Sequence, residues 1–172
     1  MPSILDEVFV VNNADFLITM TSARAHLRLE DDYPPEQLQV YISAACQAAA
    51  HFLNRRIYAT TDEQSAAIAG VPAALVLAVT ARDTALTAAD LVTDAESRCA
   101  ARDDAETTLR AARAAAVEIR RSIVADDTVR AAVQLILGHL YQNRQDATTA
   151  AVTELPMGSR ALLQPLRIGL GV

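Results

Sequence analysis

The sequence predicts an all-α fold, a small helical bundle with a long alanine-rich helical hairpin insertion and extended N- and C-terminal arms. Alanine, the strongest helix former, supplies about a fifth of the 172 residues. No glycine or proline occurs between Ala73 and Leu137. Apolar residues after Asp127 recur at the helical period of 3.6 residues. Because alanine buries little area and aromatic residues make up only 4 %, these helices are expected to depend on packing against partners.

Two helices are predicted before the alanine-rich segment. Thr21 is a suitable N-cap for a short helix that ends near Leu29. Pro34 and Pro35 are tolerated in the first turn of a second helix, which should run to about Asn54. Apolar residues surround the axis of this second helix. That pattern predicts burial on every side, against other subunits as well as the helix's own core.

The segment 61–126 is predicted to be a helical hairpin. Thr61 with Gln64, and Thr93 with Glu96, form two capping boxes at which a helix can begin. Two limbs of about thirty residues, each about 45 Å long, would return the chain to its starting point. A single helix of more than about fifty residues is the alternative, and it would leave the chain far from its core. The second limb carries two i,i+4 pairs of opposite charge, Asp94 with Arg98 and Glu106 with Arg110.

A core helix and an apolar tail complete the chain. Asp127 is predicted to cap a helix that ends near Asn143, and a polar linker precedes a tail broken by proline and glycine. Such a tail is not expected to fold alone, so it should lie on a surface. The chain is therefore interpreted as one domain, with the N-terminal arm at 1–18, the helical core at 19–60 and 127–144, the insertion at 61–126 and the C-terminal arm at 145–172.

The charge pattern disfavours tight binding of nucleic acid. The net charge is −6, the pI is about 5.0, and all fifteen basic residues are arginines. These arginines are scattered, with only Arg55–Arg56 and Arg120–Arg121 adjacent, so no row of phosphates can be neutralised. An acidic surface is nevertheless what a conduit for DNA needs, because like charges repel and the DNA does not adhere.

The sequence predicts neither an enzyme nor a metal or cofactor site. Cys46 and Cys99 lie far apart, which favours a reducing compartment and idle thiols. Ser22 and His26 have i,i+4 spacing, but no glycine-rich elbow or oxyanion device accompanies them. The three histidines are expected on three different helices, without carboxylates at ligand spacing: His26, His51 and His139.

A membrane span is the alternative interpretation of the uncharged run from Gln64 to Ala81. The run reaches the length of a span, but half of it is alanine, glycine or polar, and Pro72 interrupts it. The N-terminal residues do not have the pattern of a signal peptide. We therefore expect no membrane association, and a protein that stays cytosolic until it is assembled.

Four segments together resemble one known family. They are Met20–Arg28 (MTSARAHLR), Phe52–Tyr58 (FLNRRIY), Val129–Arg144 (VRAAVQLILGHLYQNR) and a closing pattern of a proline turn, two leucines, a proline and an arginine, from Leu155 to Arg167. In this order the segments resemble the head-tail connector (adaptor) proteins of tailed bacteriophages, over about half of the chain. The extra residues before Phe16 and the long segment 61–126 depart from that family, and Leu166 stands where an aromatic residue is common.

The resemblance implies a non-enzymatic virion protein at the head-tail junction, assembled in the host cytoplasm. It implies a homo-oligomeric ring of about twelve subunits, which binds the phage portal protein and a tail-side protein. Genomic DNA would pass through the ring without specific binding, and no cofactor is implied. A helical scaffold or interaction module outside phage assembly is the main alternative, although the chain lacks sustained heptads.

Two groups of candidate contact residues follow. The C-terminal arm is expected to contact the portal or a neighbouring subunit through Leu155, Pro156, Leu162, Leu163, Pro165, Leu166, Arg167 and Ile168. A charged contact is considered for Arg55, Arg56, Asn143 and Arg144. The alternative for this second group is that its members cap the C-terminal ends of helices, where arginine is favoured by the helix dipole.

Overall fold

The computed structural model describes residues 17–30, 32–143 and 156–169, and their structure confirms the predicted all-α fold. Most of the predicted N-terminal arm, residues 1–16, lies outside the described residues, whereas Leu17 and Ile18 are buried. The described residues form six helices, two short strands and a 3-10 turn: α1 (Met20–Leu27), α2 (Pro35–Leu53), β1 (Ile57–Tyr58), α3 (Thr61–Asp90), α4 (Ala95–Arg120), β2 (Ile123–Val124), α5 (Asp127–Gln142), α6 (Met157–Leu163) and the turn Gln164–Leu166.

The chain divides into two compact units. The core unit contains residues up to Thr60 and from Ile123 onward, and the hairpin unit contains Thr61–Ser122. The insertion therefore ends at Ser122, and not at Asp126 as the sequence suggested. The reason is a short parallel pairing of β1 with β2, in which the backbone N–H of Ile123 donates to the carbonyl of Arg56 at 2.9 Å.

Aliphatic side chains from α2, α5 and α6 fill the core unit. The side chains of this cluster that are almost completely shielded from solvent are Leu38, Ile42, Leu53, Val129, Val133, Ile136, Leu137 and Leu163. The members on α5 recur at the 3.6-residue period, as the sequence predicted. Burial of each large aliphatic side chain contributes about 1.5–3 kcal/mol before ordering costs, so this cluster is the main stabilising element of the unit.

The first helix differs from the sequence prediction in its N-cap, whereas the second agrees closely with its predicted bounds. Thr19, and not Thr21, is the N-cap of α1, because its Oγ1 accepts a hydrogen bond from the backbone N–H of Ser22 at 3.1 Å. Helix α2 begins and ends almost where predicted. Within this chain its surface is only partly covered, since Val40 is 67 % exposed and Ala44 is also exposed, so its expected burial against other subunits stays a prediction.

The hairpin unit consists of α3 and α4, which turn at residues 91–94, close to the predicted midpoint. The two limbs run antiparallel, because Arg82 pairs with Glu106 and Asp90 with Arg102. These pairs join the limbs, so Glu106 does not make the predicted pair with Arg110 within α4. The residues buried in this unit are mostly small: Val71, Ala89, Ala105, Leu109, Ala115, Ala116 and Ser122.

Two N-caps lie one residue away from their predicted positions. Asp94 caps α4 by accepting a hydrogen bond from the backbone N–H of Ser97 at 2.7 Å. Asp126 caps α5 in the same way, accepting from Val129 at 2.8 Å, so Asp127 is the first residue of the helix. At the start of each of these helices two neighbouring residues are suitable N-caps, Thr93 and Asp94 or Asp126 and Asp127. In both cases the cap is the aspartate that has an extended backbone.

Candidate interaction site

The C-terminal residues lie across the end of α2. Helix α2 stops at Asn54, whose left-handed backbone (φ 53°) turns the chain away and whose N–H bonds back to the last turn. This leaves the end of α2, Phe52–Arg55, as an acceptor for the segment Leu163–Gly169. We call the two segments together the C-terminal clasp.

Three contacts hold the C-terminal clasp. Arg55 donates from Nη1 to the carbonyl of Leu166 at 3.2 Å, and the N–H of Ile168 donates to the carbonyl of Leu53 at 3.2 Å. The guanidinium of Arg167 lies over the ring of Phe52, with its carbon 5.0 Å from the ring centroid. A cation–π contact of this kind stabilises by about 0.5–2 kcal/mol, more when the cation is desolvated.

The expectation that the apolar tail has no helix of its own is wrong for residues 157–166. Helix α6 and the following 3-10 turn place Leu163 in the core with no exposed surface, and leave Leu162 and Leu166 half-buried. The helix begins after Pro156, whose carbonyl accepts a hydrogen bond from the Ser159 hydroxyl at 2.8 Å. A short helix suffices here because α5 and α2 already supply the surface that it covers. Leu155 lies outside the described residues.

The outward side of α6 is where a partner can reach this region. Met157 is 89 % exposed, and Pro165 is exposed in the turn that follows α6. On α5, Leu135 is 42 % exposed and lies beside Gly158, at 3.5 Å from the position that a Cβ atom would take there. Leu135 and Met157 were not among the predicted contact residues. The sequence does carry a signal for Leu135, since it falls outside the apolar stripe of α5.

The residues of the predicted charged contact lie in two separate places in the described structure. Arg55 belongs to the C-terminal clasp, and Arg56 follows it as a half-buried residue. Asn143 ends α5 and donates from Nδ2 to the carbonyl of His139 at 2.9 Å, which is the capping role considered as the alternative. Arg144 lies outside the described residues. Arg55 is therefore brought against the predicted arm residues, Leu166 among them.

The residues with potential for chemistry lie in different parts of the described structure. Ser22 accepts a hydrogen bond through Oγ from Gln134 Nε2 at 2.9 Å, which places the hydroxyl in a contact between α1 and α5. His26 is exposed, near Gly138 of α5. Within residues 17–30, 32–143 and 156–169, no group of three His, Cys, Asp or Glu side chains is arranged to hold a metal ion. Cys46 is buried and Cys99 exposed.

No protein-family model, curated protein or solved structure matches this chain.

Proposed function

We propose that the chain is a head-tail connector subunit of a tailed bacteriophage. In this proposal its copies form a ring of about twelve beneath the portal, and the ring continues the DNA channel toward the tail. The role is structural and non-enzymatic. The portal protein and a tail-side protein are the partners, and the acidic chain, with a net charge of −6, lets DNA pass without adhering.

One observation supports the proposal above the others. The described parts of the four segments that resemble the connector family all lie in the core unit, although they are far apart in sequence. The C-terminal clasp joins the second segment to the fourth through Arg55 and Leu166, and Gln134 in the third segment bonds Ser22 in the first. Of the two departures from the family, the long segment 61–126 supplies the separate hairpin unit, Thr61–Ser122. The segments that carry the resemblance therefore contribute to one folded unit.

The clasp changes how the C-terminal region would work in such a ring. Leu163 is fully buried in its own subunit, so it holds α6 in place and does not reach a partner. In our proposal the outward side of α6, with Met157 and the neighbouring Leu135, contacts the portal or the next subunit. The exposed face of α2 with Val40 offers a second surface for the head-to-tail contacts that close a ring.

The test is electron microscopy of the purified chain together with the portal protein encoded in the same genome. The proposal expects a ring of this chain stacked on the portal ring. Met157→Glu should abolish the stacking or weaken it at least about tenfold, because it places a charge in a desolvated contact. Leu91→Glu is the matched control, since Leu91 is 82 % exposed at the hairpin turn. A chain that stays separate from the portal at every concentration would contradict the proposal.

A helical interaction module outside phage assembly is the second candidate, and the hairpin unit offers it a binding surface. Helix α3 has the length and hydropathy of a membrane-crossing helix, with a mean hydropathy of 1.7 over an 18-residue window. Only 6 % of that window is buried. Such an exposed apolar surface indicates a binding partner in either candidate. Electron microscopy separates the two, because an interaction module outside phage assembly has no reason to stack on a portal.

A further inference from the structure

One face of α3 is apolar, uncharged and exposed. The run from Gln64 to Ala81 contains no charged residue, and Val76 and Leu77 are 66 % and 70 % exposed. Seven of the exposed positions in this run recur at a spacing of three or four residues, which lines them up along one side of the helix: Ala66, Ala69, Gly70, Ala73, Val76, Leu77 and Thr80. We call these seven residues the α3 face.

The threonines on this side of the helix are suited to a contact without water. Thr80 donates its hydroxyl to the carbonyl of Val76 at 3.1 Å, and Thr84 donates to the carbonyl of Thr80 at 2.9 Å. Thr87 makes the same bond to Asp83. Because each hydroxyl donates to a carbonyl of its own helix, burying it leaves no unpaired donor.

Gly70 has no explanation within the hairpin unit. A Cβ atom at this position would meet no heavy atom within 4 Å, so nothing in the chain requires a glycine there. Glycine in a helix interior destabilises by about 1 kcal/mol relative to alanine. A close approach by the backbone of a partner is the usual physical reason for a small residue on an exposed helix face.

A bilayer does not fit as the partner of the α3 face. Residues on both sides of the hairpin, in α2 and α5, pack into one core unit, so both ends of the hairpin must stay on the same side of a membrane. If α3 crossed, α4 would have to cross back. Helix α4 carries charged residues along its whole length, from Glu96 to Arg120, which excludes it from the hydrocarbon region.

We propose that the α3 face binds the α3 face of a second copy, antiparallel and about a two-fold axis near Ala73. In this register residues whose numbers sum to about 146 lie opposite each other. Val76 and Leu77 of one copy then meet Gly70 and Ala69 of the other, so large side chains enter the space over small ones. A parallel pair would place Leu77 against Leu77 and Gly70 against Gly70, so large side chains would not lie over small ones.

Charge also favours the second copy. The uncharged run is bounded by Asp62 and Glu63 at one end and by Arg82 and Asp83 at the other. A partner with an uncharged run of the same length covers the face without burying a charge, and an identical copy has that length.

This pairing is independent of the proposed function. A two-fold contact is self-complementary and closes after two copies, so it cannot by itself build a ring. If the core units also form a ring, the α3 contact joins two rings. Loss of the contact would then halve the mass of the assembly without dissolving it into monomers. If the core units form no ring, the same variants convert a dimer into a monomer.

The first experiment is sedimentation of the full chain over a range of concentrations. We expect association that Leu77→Glu and Gly70→Leu each weaken at least about tenfold. Adding Val76→Ala to Gly70→Leu should restore most of the association, because it reopens space opposite the new side chain. Leu91→Glu is the control for an exposed apolar residue away from the face. Addition of neutral phospholipid vesicles should sediment none of the chain.

The second experiment determines the orientation by oxidative cross-linking in a Cys99→Ser background. Chains with Gly70→Cys mixed with chains carrying Val76→Cys should form a mixed disulfide dimer, while Gly70→Cys alone should not. Efficient cross-linking of Gly70→Cys to itself would show a parallel pair and overturn the proposed register. Three results would overturn the assignment of the partner. They are association that the α3 variants leave unchanged, a chain that stays monomeric, and vesicle binding that Leu77→Glu abolishes.

Discussion

The core unit and the hairpin unit are both mainly helical but bury different kinds of residue. The core unit buries a cluster of leucine, isoleucine and valine from α2, α5 and α6, whereas the hairpin unit buries mainly alanines and joins its limbs by ion pairs such as Arg82–Glu106. Alanine favours the helix but contributes little buried area. Helix content therefore does not indicate where the stability lies, and the hairpin unit is the part with more to gain from a partner.

The largest expected effect is the loss of a buried side chain from the core unit, compared with the loss of an exposed side chain from the hairpin unit. Leu137→Ala removes a side chain with no exposed surface from the core unit. We expect it to lower the free energy of unfolding by about 2–5 kcal/mol, through lost burial and the cavity left behind. Leu91→Ala, at the exposed turn of the hairpin, should change it by less than about 0.5 kcal/mol. Urea unfolding followed by circular dichroism measures both, and equal effects would break the comparison.

The C-terminal clasp should contribute a smaller amount to the core unit. Arg167→Met keeps a long side chain but removes the charge over the ring of Phe52. We expect a loss of about 0.5–2 kcal/mol in the free energy of unfolding. Arg113→Met, on an exposed position of α4, is the control and should be nearly neutral. An unchanged stability for Arg167→Met would show that the hydrogen bonds of Arg55 and Ile168 hold the clasp without the cation–π contact.

The smallest effect concerns the cap of α4 and its dependence on pH. The hydrogen bonds from Ser97 lower the pKa of the Asp94 carboxyl below its ordinary value of 3.8. A carboxyl with a lowered pKa in the folded state stabilises the fold above the unfolded value, and this contribution is lost as the pH falls through the folded value. Below about pH 4 the wild type should therefore lose slightly more thermal stability than Asp94→Asn, whose cap does not titrate. Identical pH profiles would contradict this.

The sequence predicted the helices well and the position of the tail poorly, for a physical reason. Helix periodicity and the capping signals are local, so α2, α5 and the turn of the hairpin could be located to within a few residues. The short pairing of Ile57 with Ile123 and the contact of Arg55 with Leu166 join residues far apart in the chain. No local pattern encodes such partners. In the sequence the apolar residues of the tail have no recognisable surface to cover, so the sequence predicts an arm. Helices α5 and α2 provide that surface only after folding.

The α3 face illustrates the opposite case. Its uncharged run was evident in the sequence, but the exposure of Val76 and Leu77 was not, because periodicity alone does not say which side of a helix meets a neighbour. The structure shows that the side toward α4 includes the buried Val71 and that the α3 face lies open. A pattern interpreted from the sequence as a weak membrane span thus becomes a surface for protein contact.

The separateness of the two units is the claim on which this account depends most, and removal of the hairpin tests it directly. Tyr58 and Val124 are partners in the β1–β2 pairing, so a linker of about four Gly and Ser residues can replace Thr61–Ser122. The core unit retains its aliphatic cluster, and we predict a soluble helical protein. Its thermal unfolding, followed by circular dichroism, should remain a single cooperative transition. A variant without helical signal or without a cooperative transition would show that the core unit needs the hairpin to fold, and would contradict the account.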